Sequence, residues 1–128
     1  MRETSRPIYE ESGASSAEFA LVLFPFIALV LAIIGGSMMF YANQSLQYAT
    51  EAAARYYSVQ TANNPASPPS TDAVRIYAQN AYAGPGISPS FTAATGSCGF
   101  QVTGTANFPL NIGVMSTIVA LKSHACFP

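Results

Sequence analysis

The chain has 128 residues, half of them hydrophobic and 9% charged, with a formal net charge of −1. Once its long apolar run is set aside, what remains can form one small domain, so a second large domain is excluded. Its five basic residues, Arg2, Arg6, Arg55, Arg75 and Lys122, form no cluster or stripe; electrostatic support for nucleic-acid binding is missing.

The first feature in chain order is an apolar run, Phe19 to Phe40, inside a stretch with no charged residue between Glu18 and Glu51. A bilayer-spanning helix needs about 20 such residues. A secretory signal has a shorter apolar core followed by small residues at its cut site; here Phe40 and Tyr41 stand where small residues are required. The run therefore reads as a membrane-spanning helix. Arg2 and Arg6 before it lean the N-terminus towards the cytoplasm, against Arg55 beyond it. Pro25 predicts a kink or a loosened turn, which membrane helices tolerate. Ala28, Ala32 and Gly36, four apart, form a face of small side chains on which another helix can pack closely, unless they reflect only the usual composition of such segments. Tyr41 fits an interfacial aromatic.

The helix is expected to continue past the membrane, over about Ala17 to Thr61. Ala42, Leu46, Ala49, Ala53 and Tyr56 keep one helical face apolar, Glu51 and Arg55 are spaced for an i,i+4 ion pair, and Gln44 and Gln47 fall elsewhere on the surface. The stretch NNPASPPS, Asn63 to Ser70, breaks it. A second helix follows over 71–83, with Ser70 or Thr71 as N-cap, Asp72 in its first turn, an apolar stripe of Val74, Tyr77, Ala78 and Ala81, and Gly84–Pro85 as its stop. Gly86 to Gly96 reads as loop.

The last third reads as strand. Phe100, Val102, Ala106 and Phe108 alternate with Gln101, Thr103, Thr105 and Asn107, and a second strand runs from about Thr117 to Ala125 after a turn at Pro109 to Gly113. Cys98 opens the first strand and Cys126 closes the second, which predicts a disulfide across a hairpin and an oxidising compartment; two unpaired buried thiols are the alternative. Facing Cys98 with Cys126 sets Val102 opposite Lys122 and Phe108 opposite Ser116. That register puts Val119 and Leu121 on the wrong face, a conflict that a bulge at Gly104 could resolve.

The polar residues offer little chemistry. Cys98, Cys126 and the single histidine, His124, do not have the number or spacing of a zinc site. No nucleophile is placed beside His124 by any motif, and it is expected to face solvent from a strand. The sequon at Asn43 falls in a predicted helix and reads as coincidence. The expectation is a protein that is not an enzyme, with no cofactor, no metal and no small-molecule substrate.

One short stretch asks for a role: GASSAEFALVLFPF from Gly13, in which a carboxylate, Glu18, sits at the edge of the apolar run. A glycine, small residues, a glutamate five positions on, then an aromatic and an unbroken apolar run resemble the processing site of type IV pilin-like proteins. The likeness is greatest to TadE-like and TadG-like pseudopilins of the tight-adherence, or Flp, pilus system, and residues Gly13 to Phe40 carry most of it. The resemblance implies that a prepilin peptidase cuts between Gly13 and Ala14, and that Glu18, followed by Phe19, aligns subunits by attracting the new terminal amine of a neighbour. A carboxylate placed favourably in the first turn of a helix is the plainer reading of Glu18. Glu10 and Glu11 depart from the usual basic leader, and the chain is longer than the system's major pilins, which suits a minor-pilin role.

The fold expected is thus α+β: a leader over 1–13, a membrane-spanning helix over 14–41, and an extracytoplasmic head over 42–128. The head comprises a helix extension over 42–62, a linker over 63–70, a helix over 71–83 and an antiparallel β region over 98–127. The expected place is the bacterial inner membrane, N-terminus inside, with other pilins, the assembly machinery and the prepilin peptidase as partners, and the expected role is pilus assembly and surface adhesion. The rival is an uncleaved single-pass protein whose disulfide-bonded head binds or regulates an envelope partner.

Overall fold

A computed structural model describes residues 9–113 and 115–128; Arg2 and Arg6, on which the expected orientation rested, lie outside the described residues. The order of elements is α1 (Tyr9–Asn63), α2 (Thr71–Ala81), β1 (Ser90–Gly96), β2 (Gly99–Ile112) and β3 (Met115–Phe127), an α+β arrangement. The three strands form an antiparallel meander in the order β1-β2-β3.

Helix α1 is 55 residues long, on the order of 80 Å at 1.5 Å per residue. It starts earlier than expected, at Tyr9 rather than Ala17. A lone glycine, Gly13, costs a helix only about 1 kcal/mol, and no proline interrupts the turns around it. The helix is also unbroken at Pro25, consistent with the tolerance of long apolar helices for a missing donor.

Two surfaces follow one another along α1. From Gly13 to Ile34 every residue is exposed. From Ala42 onward one stripe, Ala42, Leu46, Ala49, Thr50, Ala53, Ala54 and Tyr57, is buried beneath α2 and the sheet. Its polar counterparts Gln44, Gln47, Glu51 and Arg55 remain exposed. Tyr57 rather than Tyr56 fills the core, packing at 4.7 Å from the Phe100 ring, while Tyr56 stacks on Tyr77 at 4.3 Å. Glu51 and Arg55 do not form the expected ion pair; among the described residues the ion pair is Asp72–Arg75, at 3.1 Å. At an exposed site such a pairing is worth little against the side-chain entropy it costs.

Helix α2 starts as its sequence dictates. The Ser70 hydroxyl accepts from the Ala73 N–H at 3.2 Å, and Asp72 lies in the first turn. Val74 and Ala78 are buried, Ala81 is half-buried, and Tyr77 lies at the edge. The helix ends at Ala81, two residues before its expected end, because Tyr82 turns extended and its N–H closes on the Ala78 carbonyl. The following loop is stitched to α1: Tyr41 donates to the Ala83 carbonyl at 2.6 Å, and Ala83 N–H to Ser45 Oγ at 3.0 Å. Tyr41 therefore holds the head to its stalk.

The sheet corrects the sequence reading in five places. Ser90–Gly96 is a strand, not a loop, paired with β2 from Ser90↔Thr105 to Gly96↔Gly99. The β2–β3 register is displaced by three residues from the expected one: Val102 faces Ala125, not Lys122, and Phe108 faces Val119, not Ser116. Cys98 lies in the turn between β1 and β2, outside the ladder, so the disulfide does not mark a cross-strand pair. An odd shift exchanges the two faces of β3. Val119, Leu121, Ser123 and Ala125 thereby join Val102, Ala106 and Phe108 over the helix, and the expected conflict disappears.

Gly104 makes no bulge, since every residue from Phe100 to Ile112 has a partner on β3. The residue serves close approach instead. A Cβ at Gly104 would stand 2.8 Å from Thr50 Cγ2, 2.9 Å from Phe91 Cε1 and 3.0 Å from Leu46 Cδ1. Beside it Thr50 and Ser123 share a buried hydroxyl hydrogen bond of 2.7 Å, so this polar pair inside the core is satisfied. The strands also run further than expected, through Pro109 to a turn at Gly113, whose φ of +59° is left-handed.

Candidate processing and assembly site

The residues singled out in the sequence, Gly13, Ala14, Glu18 and Phe19, lie on successive turns near the start of α1, all exposed. Ala14 and Glu18 are four apart and share one face, about 6 Å along the axis. A Cβ at Gly13 would meet nothing within 4 Å. Glu18 makes no ion pair among the described residues. This segment is thus accessible, and nothing among the described residues neutralises the carboxylate.

The small-residue face is equally open. Ala28 and Ala32 are exposed, and a Cβ at Gly36 would have no neighbour within 4 Å. The head instead shields a different stripe of the same helix, on which Gly35 and Met39 are half-buried. The whole exposed stretch is long and apolar enough to cross a membrane by length and composition. Large side chains such as Leu21, Phe24 and Ile33 point outward from it, an apolar surface that needs lipid or other helices to cover it.

In the head the Cys98–Cys126 disulfide forms as expected, with a sequence separation of 28, tying the β1–β2 turn to the end of β3. His124 is exposed on β3 opposite Thr103. Among the described residues no cluster of three or more His, Cys, Asp or Glu could hold a metal. A shallow groove of about 500 Å³ runs along the outer side of α1, lined by Tyr48, Glu51, Arg55, Tyr56, Tyr77 and Phe127. The sequence reading did not assemble it, although Tyr48, Tyr56 and Tyr77 could have signalled an aromatic surface had the packing of α2 on α1 been known. Where the loop after α2 meets α1, burial raises the Tyr82 hydroxyl above its ordinary pKa of 10.0, the nearby Tyr41 phenol adding to the effect.

Residues 13–55 match the family model described as TadE-like protein. The match covers about a third of the chain and starts at Gly13, so the resemblance read from Gly13 to Phe40 holds and extends to the Glu51–Arg55 turn. No curated protein and no solved structure matches the chain. Residues 13–55 are therefore similar to TadE-like proteins, and the likeness covers the exposed apolar stretch of α1 and the first turns of its buried stripe.

Proposed function

With that TadE-like segment as the premise, we propose that the protein is a pseudopilin or minor pilin of a tight-adherence pilus, matured by a prepilin peptidase that cuts after Gly13. Its α1 crosses the inner membrane with the N-terminus in the cytoplasm and carries the disulfide-bonded head outside. The observation that carries this reading is the exposed Gly13–Ala14–Glu18 segment at the head of an uncovered apolar helix.

Before cutting, Glu18 lies at the edge of the membrane with no ion-pair partner among the described residues. Cutting creates an amine on Ala14, mostly charged at neutral pH because α-amino groups titrate near 8. When helices of neighbouring subunits pack, that amine can meet the Glu18 of the next subunit. At about 4 Å and an effective dielectric near 20, the attraction is about 4 kcal/mol at most, which offsets part of the cost of covering the carboxylate and favours one stagger between subunits. The open face of Ala28, Ala32 and Gly36 lets the helices approach. Release of the leader requires only local unwinding, since the turn before Gly13 is the end of a helix and ends fray. In this role the protein serves assembly of the pilus and, through it, surface adhesion.

The test is mapping of the mature N-terminus of the membrane-extracted protein, with and without Gly13→Ala. Native protein should begin at Ala14, and Gly13→Ala should retain the leader while folding normally, because the added methyl touches nothing. A native protein still starting at Met1 would overturn the reading in favour of an uncleaved envelope protein. Glu18→Gln should be cut normally yet fail to support piliation.

A further inference from the structure

The β2–β3 hairpin reaches well beyond the sheet that β1 completes. The β1–β2 ladder ends at Ser90↔Thr105, whereas β2 and β3 stay paired from Ala106↔Leu121 down to Ile112↔Met115. This two-stranded ribbon points towards the membrane end of α1, because β3 rises alongside the helix. Pro128 accepts from Ser58 at 2.7 Å, Ser123 bonds Thr50, and Ala120, Leu121 and Lys122 share a hollow with Met39, Phe40 and Asn43. Residues before Ala120 thus lie lower still, beside the apolar run. The burial pattern of α1 agrees. Its shielded stripe does not stop at Ala42 but continues through Met39 to Gly35, about 7 Å below Phe40 by helical rise.

The composition of the ribbon is unusual for a solvent-exposed hairpin. No Asp, Glu, Lys, Arg or His occurs from Ile76 to Leu121. On one face Phe108 is buried and Leu110 and Val119 pack against the core, but towards the tip Met115 is 74% exposed, and on the opposite face Ile118 is 72% exposed. The first charge met on ascending β3 is Lys122, exposed at the level of Phe40 and Asn43. Apolar tip, then a lysine at the height where the apolar helix ends, is the order in which a chain crosses from acyl region to headgroups. Two-stranded ribbons are marginal in water without further support. Here one face leans on α1 and the other has no partner among the described residues.

We propose that the tip of the β2–β3 ribbon, carried by Met115 and Ile118, is embedded in the outer leaflet of the membrane beside α1, with Lys122 at the headgroups. This rests on the reading of α1 as membrane-spanning. The head is then held at two points, which fixes its tilt and rotation over the bilayer. Insertion is shallow, because the open edges of a two-stranded ribbon keep unpaired N–H and C=O groups that need water or headgroups; a depth of about 5 to 10 Å meets that limit.

The chain has no tryptophan, so single-tryptophan variants of the full-length protein report depth directly. Ile118→Trp, Phe24→Trp and Val59→Trp are reconstituted in phosphatidylcholine–phosphatidylglycerol vesicles with and without brominated acyl chains. Emission of Ile118→Trp should shift to the blue and be lost with brominated lipid, as for Phe24→Trp in the span, while Val59→Trp high on the head is unaffected. If Ile118→Trp is instead quenched by aqueous iodide and untouched by brominated lipid, with Phe24→Trp still quenched by lipid, the proposal is wrong and the membrane span stands. Loss of lipid quenching at Phe24→Trp as well removes the span, and the proposal with it. Shielding of Ile118→Trp from both quenchers that fades as protein is diluted into lipid also overturns the proposal, assigning the tip to contact between copies.

Discussion

Replacing Gly104 with alanine tests whether the sheet lies as close to α1 as the structure places it. The added Cβ would fall 2.8 Å from Thr50 Cγ2, 2.9 Å from Phe91 Cε1 and 3.0 Å from Leu46 Cδ1, closer than non-bonded carbon atoms tolerate. None of the three can swing away easily. Thr50 is fixed by its hydroxyl, which meets the Gln47 carbonyl at 2.8 Å and Ser123 Oγ at 2.7 Å, and Leu46 and Phe91 are fully enclosed. Overpacking of this kind costs about 1–3 kcal/mol, against a gain of about 0.4–1 kcal/mol from the stiffer unfolded chain. A net loss of about 1–2 kcal/mol is expected, measured as a lower urea midpoint with unchanged slope for the full chain in detergent. Thr50→Ser, which keeps the hydroxyl and removes the methyl, should recover part of the loss when combined with Gly104→Ala, more than additivity allows. A Gly104→Ala protein as stable as the parent, or a double variant showing no coupling, refutes the close approach.

Two further outcomes follow from the head. Replacing both Cys98 and Cys126 with serine opens a loop whose ends are 28 residues apart, which on the loop-entropy model lowers stability by about 3.5 kcal/mol; reductant should lower the midpoint of the native protein alike, and an unchanged midpoint would contradict a structural role for the bond. Burial first, then the Tyr41 phenol, raise the Tyr82 pKa above 10.0, so the neutral phenol is favoured in the folded state: its contribution is full below pH 10 and is lost as pH rises through the folded value. The phenolate absorbance titration of native protein minus that of Tyr82→Phe should therefore be centred above 10.0, and a difference curve centred at or below it would refute the burial.

What the sequence shows clearly is what strong, local patterns encode. The stripe Ala42, Leu46, Ala49, Ala53 repeats at helical spacing, and all four side chains are buried. Ser70 followed by Asp72 reads as a helix start and is one. Strand β1 escaped because Phe91 is its single large apolar residue; its place is given by β2, which needs a neighbour on that side, and not by its own alternation. The register failed because a disulfide constrains two sulfurs, not two ladder positions, and Cys98 sits in a turn. Pro109 read as the end of a strand, yet past Thr105 β2 has no neighbour on its β1 side, and an edge tolerates a residue without a donor. At the candidate site, Gly13, Glu18 and the face of Ala28, Ala32 and Gly36 were all visible, since exposed residues on an isolated helix owe their positions to spacing alone.

The same helix serves two surroundings, and this has a consequence for how the head can move. The apolar stretch of α1 and the buried stripe of the head belong to one element without glycine or proline from Ser37 to Asn63. Among the described residues the buried core of the head includes that helix: the sheet closes on Leu46, Thr50 and Tyr57, and α2 packs against the same helix with Tyr77 stacked on Tyr56. Tyr41 and Ser45 bind the loop after α2 directly at the junction. A hinge between stalk and head would have to break the helix or strip the core from it, either of which costs more than small domains have to spare. Rotation of the helix about its axis is therefore passed to the head. Where helices pack through one face, as the stripe of Ala28, Ala32 and Gly36 allows, the side of the head turned towards its neighbour is set at the same time, because the stripe that the head occupies, Gly35 and Met39 onward, lies next to it on the same helix.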